Sequence, residues 1–276
     1  MDTGMPLGEL LGLTAALLAA GFATGLLAGL LGIGGGGILV PVLYEVFGAL
    51  GVDDAVRMHL AVGTSLAVIV PTSLRSFTAH HARGAVDLDL VRSMAPWVVL
   101  GVGLGAFLAR YSNAAVLKGI WVAAASIISL KLFLGRHDWR LGDAVPGQPF
   151  RALYGGFVGL VSTLMSIGGG VFITALLTLY GQPMQRAVAT SSAFGPIIAI
   201  PGALGFVWAG WHAAGRPPGS LGYVSLLGAL VIIPTSVLAA PLGVRIAHGS
   251  SRRTLELAFA TFLVVVGLRF LFSLLG

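Results

Sequence analysis

Two sets of residues in this chain have the types and spacing to handle an anion. The first is a pair of glycine runs, Ile33-Gly34-Gly35-Gly36 and Ile167-Gly168-Gly169-Gly170, 134 positions apart in a chain of 276 residues. The second is a pair of hydroxyl clusters, Thr64-Ser65 and Thr190-Ser191-Ser192, which follow the runs in the same order. A glycine run does not continue an ordinary helix, because each glycine costs about 1 kcal/mol relative to alanine. Where such a run precedes a short helix, the first amide N–H groups of that helix lack partners and its dipole is positive there. Two such ends meeting at a pseudo-twofold axis would hold an anion in apolar surroundings without a permanent charge, and nearby hydroxyls would donate to its outer oxygens.

Each of these residue types also has a plainer use. Glycines allow close helix packing, the role expected of Gly21-xxx-Gly25-xxx-Gly29 and Gly101-xxx-Gly105. Hydroxyls in apolar helices commonly bond back to a carbonyl one turn earlier. The triple glycines differ in breaking helices at matching places, so Gly34, Gly35, Gly36, Gly168, Gly169, Gly170, Thr64, Ser65, Thr190, Ser191 and Ser192 are the expected substrate contacts. Glu45, in the first short segment, is either a proton acceptor for coupling or an interfacial carboxylate. Arg75 either steers anions or is a topological charge. Gly32 to Gly37 also fits the dinucleotide pattern G-x-G-x-x-G, but membrane helix flanks it in place of a strand and a following acid. His80-His81 with Asp87 and Asp89 reads as solvated loop polarity rather than a metal site, and no Ser/His/Asp spacing or paired carboxylates point to catalysis. Neither metal nor cofactor is expected.

The elements that must position these residues are membrane helices. The chain is 57% hydrophobic and 9% charged, with a mean hydropathy of +0.96, where a soluble domain would carry about a quarter charged residues. Ser93 to Ala109 and Leu221 to Val244 contain no charge and are long enough for a span of about 20 residues. The first apolar stretch begins near Leu7 with only Asp2 before it, so it lacks the basic region of a secretory signal and reads as a retained helix. A formal charge of +6 does not signal nucleic acid, because the basic residues are scattered through short loops. The absence of cysteine excludes disulfides and thiolate chemistry.

The glycine runs belong to a duplication. Gly21-xxx-Gly25 recurs as Gly155-xxx-Gly159, Ala61-Val-Gly-Thr-Ser65 as Ala187-Val-Ala-Thr-Ser191, and Pro96, Leu104 and Leu130-Lys131 as Pro234, Leu242 and Leu268-Arg269. The expected fold is an all-α polytopic membrane protein of two homologous half-chain repeats, at 1–135 and 150–276, joined by a polar loop at 136–149. Each repeat has a glycine-broken helix, or a re-entrant short helix (Ile38 to Phe47, Val171 to Tyr180), plus three further helices. About ten residues at 1.5 Å cover roughly half of a bilayer core, so the short segment either completes a broken span or turns back. If it turns back, the second repeat is inverted and Arg75, Arg83, Arg92, Lys131, Arg136, Arg140, Arg151, Arg186, Arg245, Arg252 and Arg253 share one side, eleven of the 16 basic residues. If each half crosses four times, the split is nine against seven, so the positive-inside rule favours inversion with both termini outside the cytoplasm. Pro71 and Pro201 interrupt the helices that carry the hydroxyls.

The order of an apolar helix, Gly32-Ile-Gly-Gly-Gly-Gly37 with Pro41, Ala61-Val-Gly-Thr-Ser65 and His80-His-Ala-Arg-Gly-Ala-Val-Asp87, repeated as Ser166-Ile-Gly-Gly-Gly170 and Ala187-Val-Ala-Thr-Ser191, resembles the TauE/SafE sulfite exporter family over nearly the whole chain. One departure is Thr174-Ala175 near where Pro41 sits in the first half. The resemblance implies a bacterial or archaeal cytoplasmic-membrane transporter of small sulfur-containing oxyanions such as sulfite or organosulfonates. The resulting expectation is a secondary transporter working by alternating access at a midplane site between repeats. An anion channel of the same architecture is the alternative. The expected partners are the small anion and the lipid bilayer, with no nucleic acid; homo-oligomerisation, the anion's identity, the direction of transport and the coupling ion are left open.

Overall fold

The computed structural model describes residues 7–31, 36–134, 140–246 and 252–275. It contains eleven helices among these residues: α1 (Leu7–Leu31), α2 (Gly36–Ala49), α3 (Asp54–His81), α4 (Leu88–Tyr111), α5 (Ala114–Leu134), α6 (Phe150–Met165), α7 (Gly170–Leu179), α8 (Met184–Ser192), α9 (Phe194–Ala209), α10 (Leu226–Ile246) and α11 (Arg252–Leu275). Six stretches are long and apolar enough to cross a membrane, with α8 and α9 counted together. Leu100, Ile127, Leu153 and Leu238 are more than 60% exposed, as lipid-facing side chains are when no polar coat is needed. The chain is a multi-pass membrane protein. The all-α expectation misses one small feature, a hairpin of β1 (Ser220–Leu221) and β2 (Val224–Ser225) ahead of α10.

Local chemistry sets the helix ends. Asp53 and Asp87 accept from the amides of Ala55 (2.9 Å) and Leu90 (3.0 Å), capping α3 and α4. Asp87 thereby has a structural use. Helix α6 stops where Ser166 turns left-handed, at φ 54° and ψ 40°, and Gly169, at φ 72°, opens α7. The boundary between α8 and α9 falls at Ala193, three residues before Pro196, whose ring nitrogen cannot donate to the carbonyl of Ser192. Pro71 and Pro201 do not interrupt their helices; α3 and α9 run through them.

The directions of the helices follow from which residues meet. A β-carbon on Gly21, Gly25 or Gly29 would overlap Ile232, Ser236 or Ala240 in turn, so α1 and α10 run parallel. Gly101 and Gly159 meet Gly156 and Val98, and Gly105 approaches Leu160, so α4 and α6 are also parallel. Helices α3 and α9 are antiparallel, with Ser73 beside Gly195, Leu66 beside Gly202 and Gly63 beside Phe206. Thr72 bonds Ser236 (2.6 Å) and Thr64 bonds Ser225, which makes α3 parallel to α10.

Both short helices turn back. In α2, Gly36 lies by Ile69 and Tyr44 bonds Asp54, so α2 runs against α3, and therefore against α1. In α7, the carbonyl of Phe172 accepts from Tyr154 (2.8 Å) and Tyr180 packs on Phe150, so α7 runs against α6. The two broken elements are thus hairpins that enter from opposite ends and return to the end they came from.

Two consequences shape the molecule. The glycines expected to serve packing do so, because each lets a helix pair approach to backbone contact. The ends of α3, α5, α7 and α10 and the starts of α4, α6, α8 and α11 fall together at one end. That end carries Arg83, Arg92, Lys131, Arg140, Arg151, Arg186, Arg245 and Arg253, while Arg57, Arg110, Lys118, Arg216 and Arg269 lie toward the other.

Candidate functional site

The two hairpin tips meet in the middle of the bundle. Gly36 touches the backbone of Ser166 so closely that a β-carbon on it would overlap that carbonyl oxygen, and it also abuts Ile69, near the midpoint of α3. Gly34 and Gly35 lie outside the described residues; Gly36 and Gly37 are buried. On the other side of the contact, Gly168, Gly169 and Gly170 are buried, the first two leading into α7 and Gly170 beginning it. The first intrahelical acceptor of α7 is the carbonyl of Gly169, which receives the amide of Ile173 (3.0 Å). The amides of Gly170, Val171 and Phe172 therefore have no acceptor within the helix, and Gly169 caps it with no side chain.

Hydroxyls converge on the same tip. Ser162 and Ser166 are fully buried, and neither Oγ has a hydrogen-bond partner among the described residues. A β-carbon built on Gly169 would sit 3.7 Å from the Ser162 Oγ, so this hydroxyl faces the start of α7. Ser65, one turn before Ile69 on α3, is a third fully buried hydroxyl without a partner. A buried hydroxyl with no partner costs about 1–3 kcal/mol. Ser162 and Ser166 were not among the expected contacts. Ser166 could have been found, because it stands where the first repeat has Gly32, the same 134 positions apart as the glycine runs.

The remaining hydroxyls are arranged differently. Thr64 accepts from the amide of Ser225 (2.9 Å) and Thr190 from the amide of Asp87 (3.0 Å). Each threonine therefore anchors the N-terminal approach to a helix of the opposite half, α10 or α4. Ser191 accepts from Thr174 (2.9 Å) and donates to Val188 (2.9 Å), and Ser192 donates to Ala189 (2.6 Å). By the α3–α9 register, Thr190 lies about fourteen residues, or roughly 21 Å, from the level of Thr64. The structure brings Gly36 together with the 166–170 tip, with Ser65 below it, and sets the Thr190-Ser192 cluster toward the arginine-rich end.

Neither Glu45 nor Arg75 lies at this tip. Arg75 is exposed beyond the midpoint of α3. Glu45 is bridged by Arg269 (Nε–Oε1 3.0 Å, Nη2–Oε2 3.2 Å) on the rim of a cavity of about 500 Å³ that also includes Tyr44, Asp54, Arg57 and Phe270. Lys118, 3% exposed, donates to both oxygens of Asp54 (3.1 Å) beside it. This network, invisible to motif reading because its members lie far apart in sequence, ties α2 to α3, α5 and α11. At the same end of α3 the loop residue Tyr223 stacks on His59 (4.7 Å). Burial raises the Tyr223 hydroxyl above its usual range against the opposing pull of Arg216 and Arg110, so it stays a neutral phenol at physiological pH.

Comparison with known proteins places this arrangement among membrane transporters. The family described as sulfite exporter TauE/SafE matches residues 17–270. A probable membrane transporter protein of Haemophilus influenzae is 34% identical over 242 residues, 87% of this chain and 90% of the relative. One from Methanocaldococcus jannaschii is 30% identical over 249 residues, covering 87% and 88%, and one from Bacillus subtilis, YunE, is 25% identical over 266 residues, covering 88% and 92%. No solved structure matches the chain.

Proposed function

Because this chain belongs to the TauE/SafE sulfite exporter family, whose members are membrane transporters and not enzymes, we propose that it is a secondary transporter of a small sulfur-containing oxyanion, sulfite or an organosulfonate. The anion binds where the hairpin tips meet. The observation that carries this reading is the coincidence at one buried point of an uncapped helix start, the unpartnered hydroxyls of Ser162 and Ser166, and the Gly36 backbone. The amides of α7 and the start of α2 bind the charge. The serines orient the oxygens, and Ser65 adds a donor from α3.

The halves 1–135 and 150–276 act as inverted repeats in this reading. Its support is reciprocity: α1 packs on α10 as α6 packs on α4, α3 crosses α9 antiparallel, and Thr64 and Thr190 make equivalent bonds across the halves. The arginine-rich end faces the cytoplasm by the positive-inside rule, and Arg75 draws anions there. Gly36 and Ser166 are in contact, so both hairpins must part for an anion to enter, and rocking one repeat against the other opens one side at a time. The Glu45–Arg269 bridge and the Asp54–Lys118 pair hold α2 closed at the far end.

The test is counterflow: uptake of labelled sulfite into proteoliposomes preloaded with unlabelled anion, with a sulfonate as competitor. A carrier shows trans-stimulated uptake, reduced at least tenfold by Ser162→Ala in protein that still elutes as a folded species. Flux without trans-stimulation would make the chain a channel. No flux of either anion would remove the substrate assignment.

A further inference from the structure

We propose that the central site admits singly charged anions only, so that an oxyanion with two ionisations crosses in its protonated, monoanionic form. This rests on the transporter reading above and specifies the charge state that its site accepts.

The first ground is where the charges are. No Asp, Glu, Lys, Arg or His occurs at 10–44, 60–74, 93–109, 119–130, 152–185, 187–211, 217–244 or 257–268, which cover the middle of every element around the hairpin tips. The glycine run at 32–35 lies within the first of these stretches. Arg151 stands in the first turn of α6, at the arginine-rich end, and beyond it the ionisable side chain of that helix is Tyr154, whose hydroxyl donates to the carbonyl of Phe172 (2.8 Å). Whatever binds at the tips is therefore held by neutral dipoles alone.

The second ground is how the opposing energies scale. The cost of taking an ion out of water grows with the square of its charge, so a dianion costs about four times what a monoanion costs. The attraction of fixed dipoles, amides and helix ends grows only in proportion to the charge. A neutral site that balances the first charge cannot balance the second. A cationic side chain in contact with the anion would relieve this limit, and the charge-free stretches around the tips hold none.

The third ground is hydrogen-bond type. Backbone amides only donate, whereas the hydroxyls of Ser162 and Ser166 both donate and accept. A protonated oxyanion presents one O–H that needs an acceptor, and these two oxygens have lone pairs engaged by no described residue. A fully ionised oxyanion would leave them unused.

Three labelled anions in proteoliposomes containing the full chain test this, with protein-free vesicles subtracting leak. Methanesulfonate carries one charge at every working pH and sulfate two, while sulfite passes from one to two near neutrality. Methanesulfonate exchange should be level with pH, which also controls for titration of the protein's own histidines. Sulfite exchange at fixed total concentration should fall by about tenfold per pH unit once the second proton is lost. Sulfate exchange should stay at background. Sulfite exchange that holds or rises through alkaline pH, or sulfate exchanging as fast as methanesulfonate, overturns the charge rule while leaving the transporter. If none of the three exchanges above leak, the transporter reading fails and the charge rule with it.

Discussion

Ser166 holds a conformation that its side chain disfavours. A left-handed serine costs about 1–2 kcal/mol, and the equivalent place in the first repeat is Gly32, which has no such penalty. A strained residue whose buried hydroxyl has no partner is a stability loss twice over, and such losses collect at functional sites. Ser166→Gly should therefore raise the unfolding free energy by about 1 kcal/mol while lowering anion exchange severalfold. Thermal unfolding in detergent and counterflow measure the two, and a variant that is both stabler and fully active would make the serine incidental. Thr64→Val and Thr190→Val should behave in the opposite way. Each leaves a buried backbone amide, of Ser225 or Asp87, without its acceptor, at about 1–3 kcal/mol. Sequence reading singled out Thr64, Ser65, Thr190, Ser191 and Ser192 as candidates and passed over Ser162 and Ser166. It grouped Thr64 with Thr190 because repeats invite superposition, whereas antiparallel crossing of α3 and α9 sends equivalent residues to opposite levels.

At the scale of elements, the sequence shows breaks more clearly than directions. Glycine runs and short apolar segments marked where α1 and α6 would end, and the hairpin return was selected only by counting arginines. The two-residue strands left no signal, because pairing at that length reports tertiary placement of Gly222 against Val207 rather than strand propensity. Pro201 was expected to interrupt its helix, but α9 runs through it and the break falls earlier, at Ala193 ahead of Pro196. A proline inside a membrane helix is tolerated when neighbours satisfy the freed carbonyl, as at Pro71 and Pro201, and position in the bundle decides which one breaks. The close pairs make a sharper prediction. Gly25→Leu pushes α1 off the carbonyl of Ser236, and Gly159→Leu pushes α6 off that of Val98. Both should reduce folded yield strongly on gel filtration, whereas Gly103→Leu, with open space around it, should not.

At the scale of the whole molecule, charge asymmetry sets orientation in the membrane, and the driving gradient sets the direction of flux. The chain has no cysteine, so single replacements report sidedness directly. Asp89→Cys, at the arginine-rich end, should react with an impermeant thiol reagent only from the cytoplasm, and Tyr111→Cys, 71% exposed at the opposite end, only from outside. The reverse pattern would turn the molecule over. With this orientation, a monoanion that crosses alone carries one negative charge. A membrane potential of 100 mV, negative inside, contributes about 2.3 kcal/mol to its exit, which is roughly a fiftyfold gradient. On the proposed reading no cation needs to be bound for the anion to leave, in keeping with the charge-free sequence at 10–44 and 152–185. Vesicles clamped with potassium and valinomycin should therefore accumulate methanesulfonate when positive inside and expel it when negative inside, with no requirement for a proton gradient. Accumulation that follows pH and ignores potential would mean that a proton travels with the anion. Glu45 would then be the first carboxylate to test, by Glu45→Gln, because it closes the far end of α2 and is the acid in that helix.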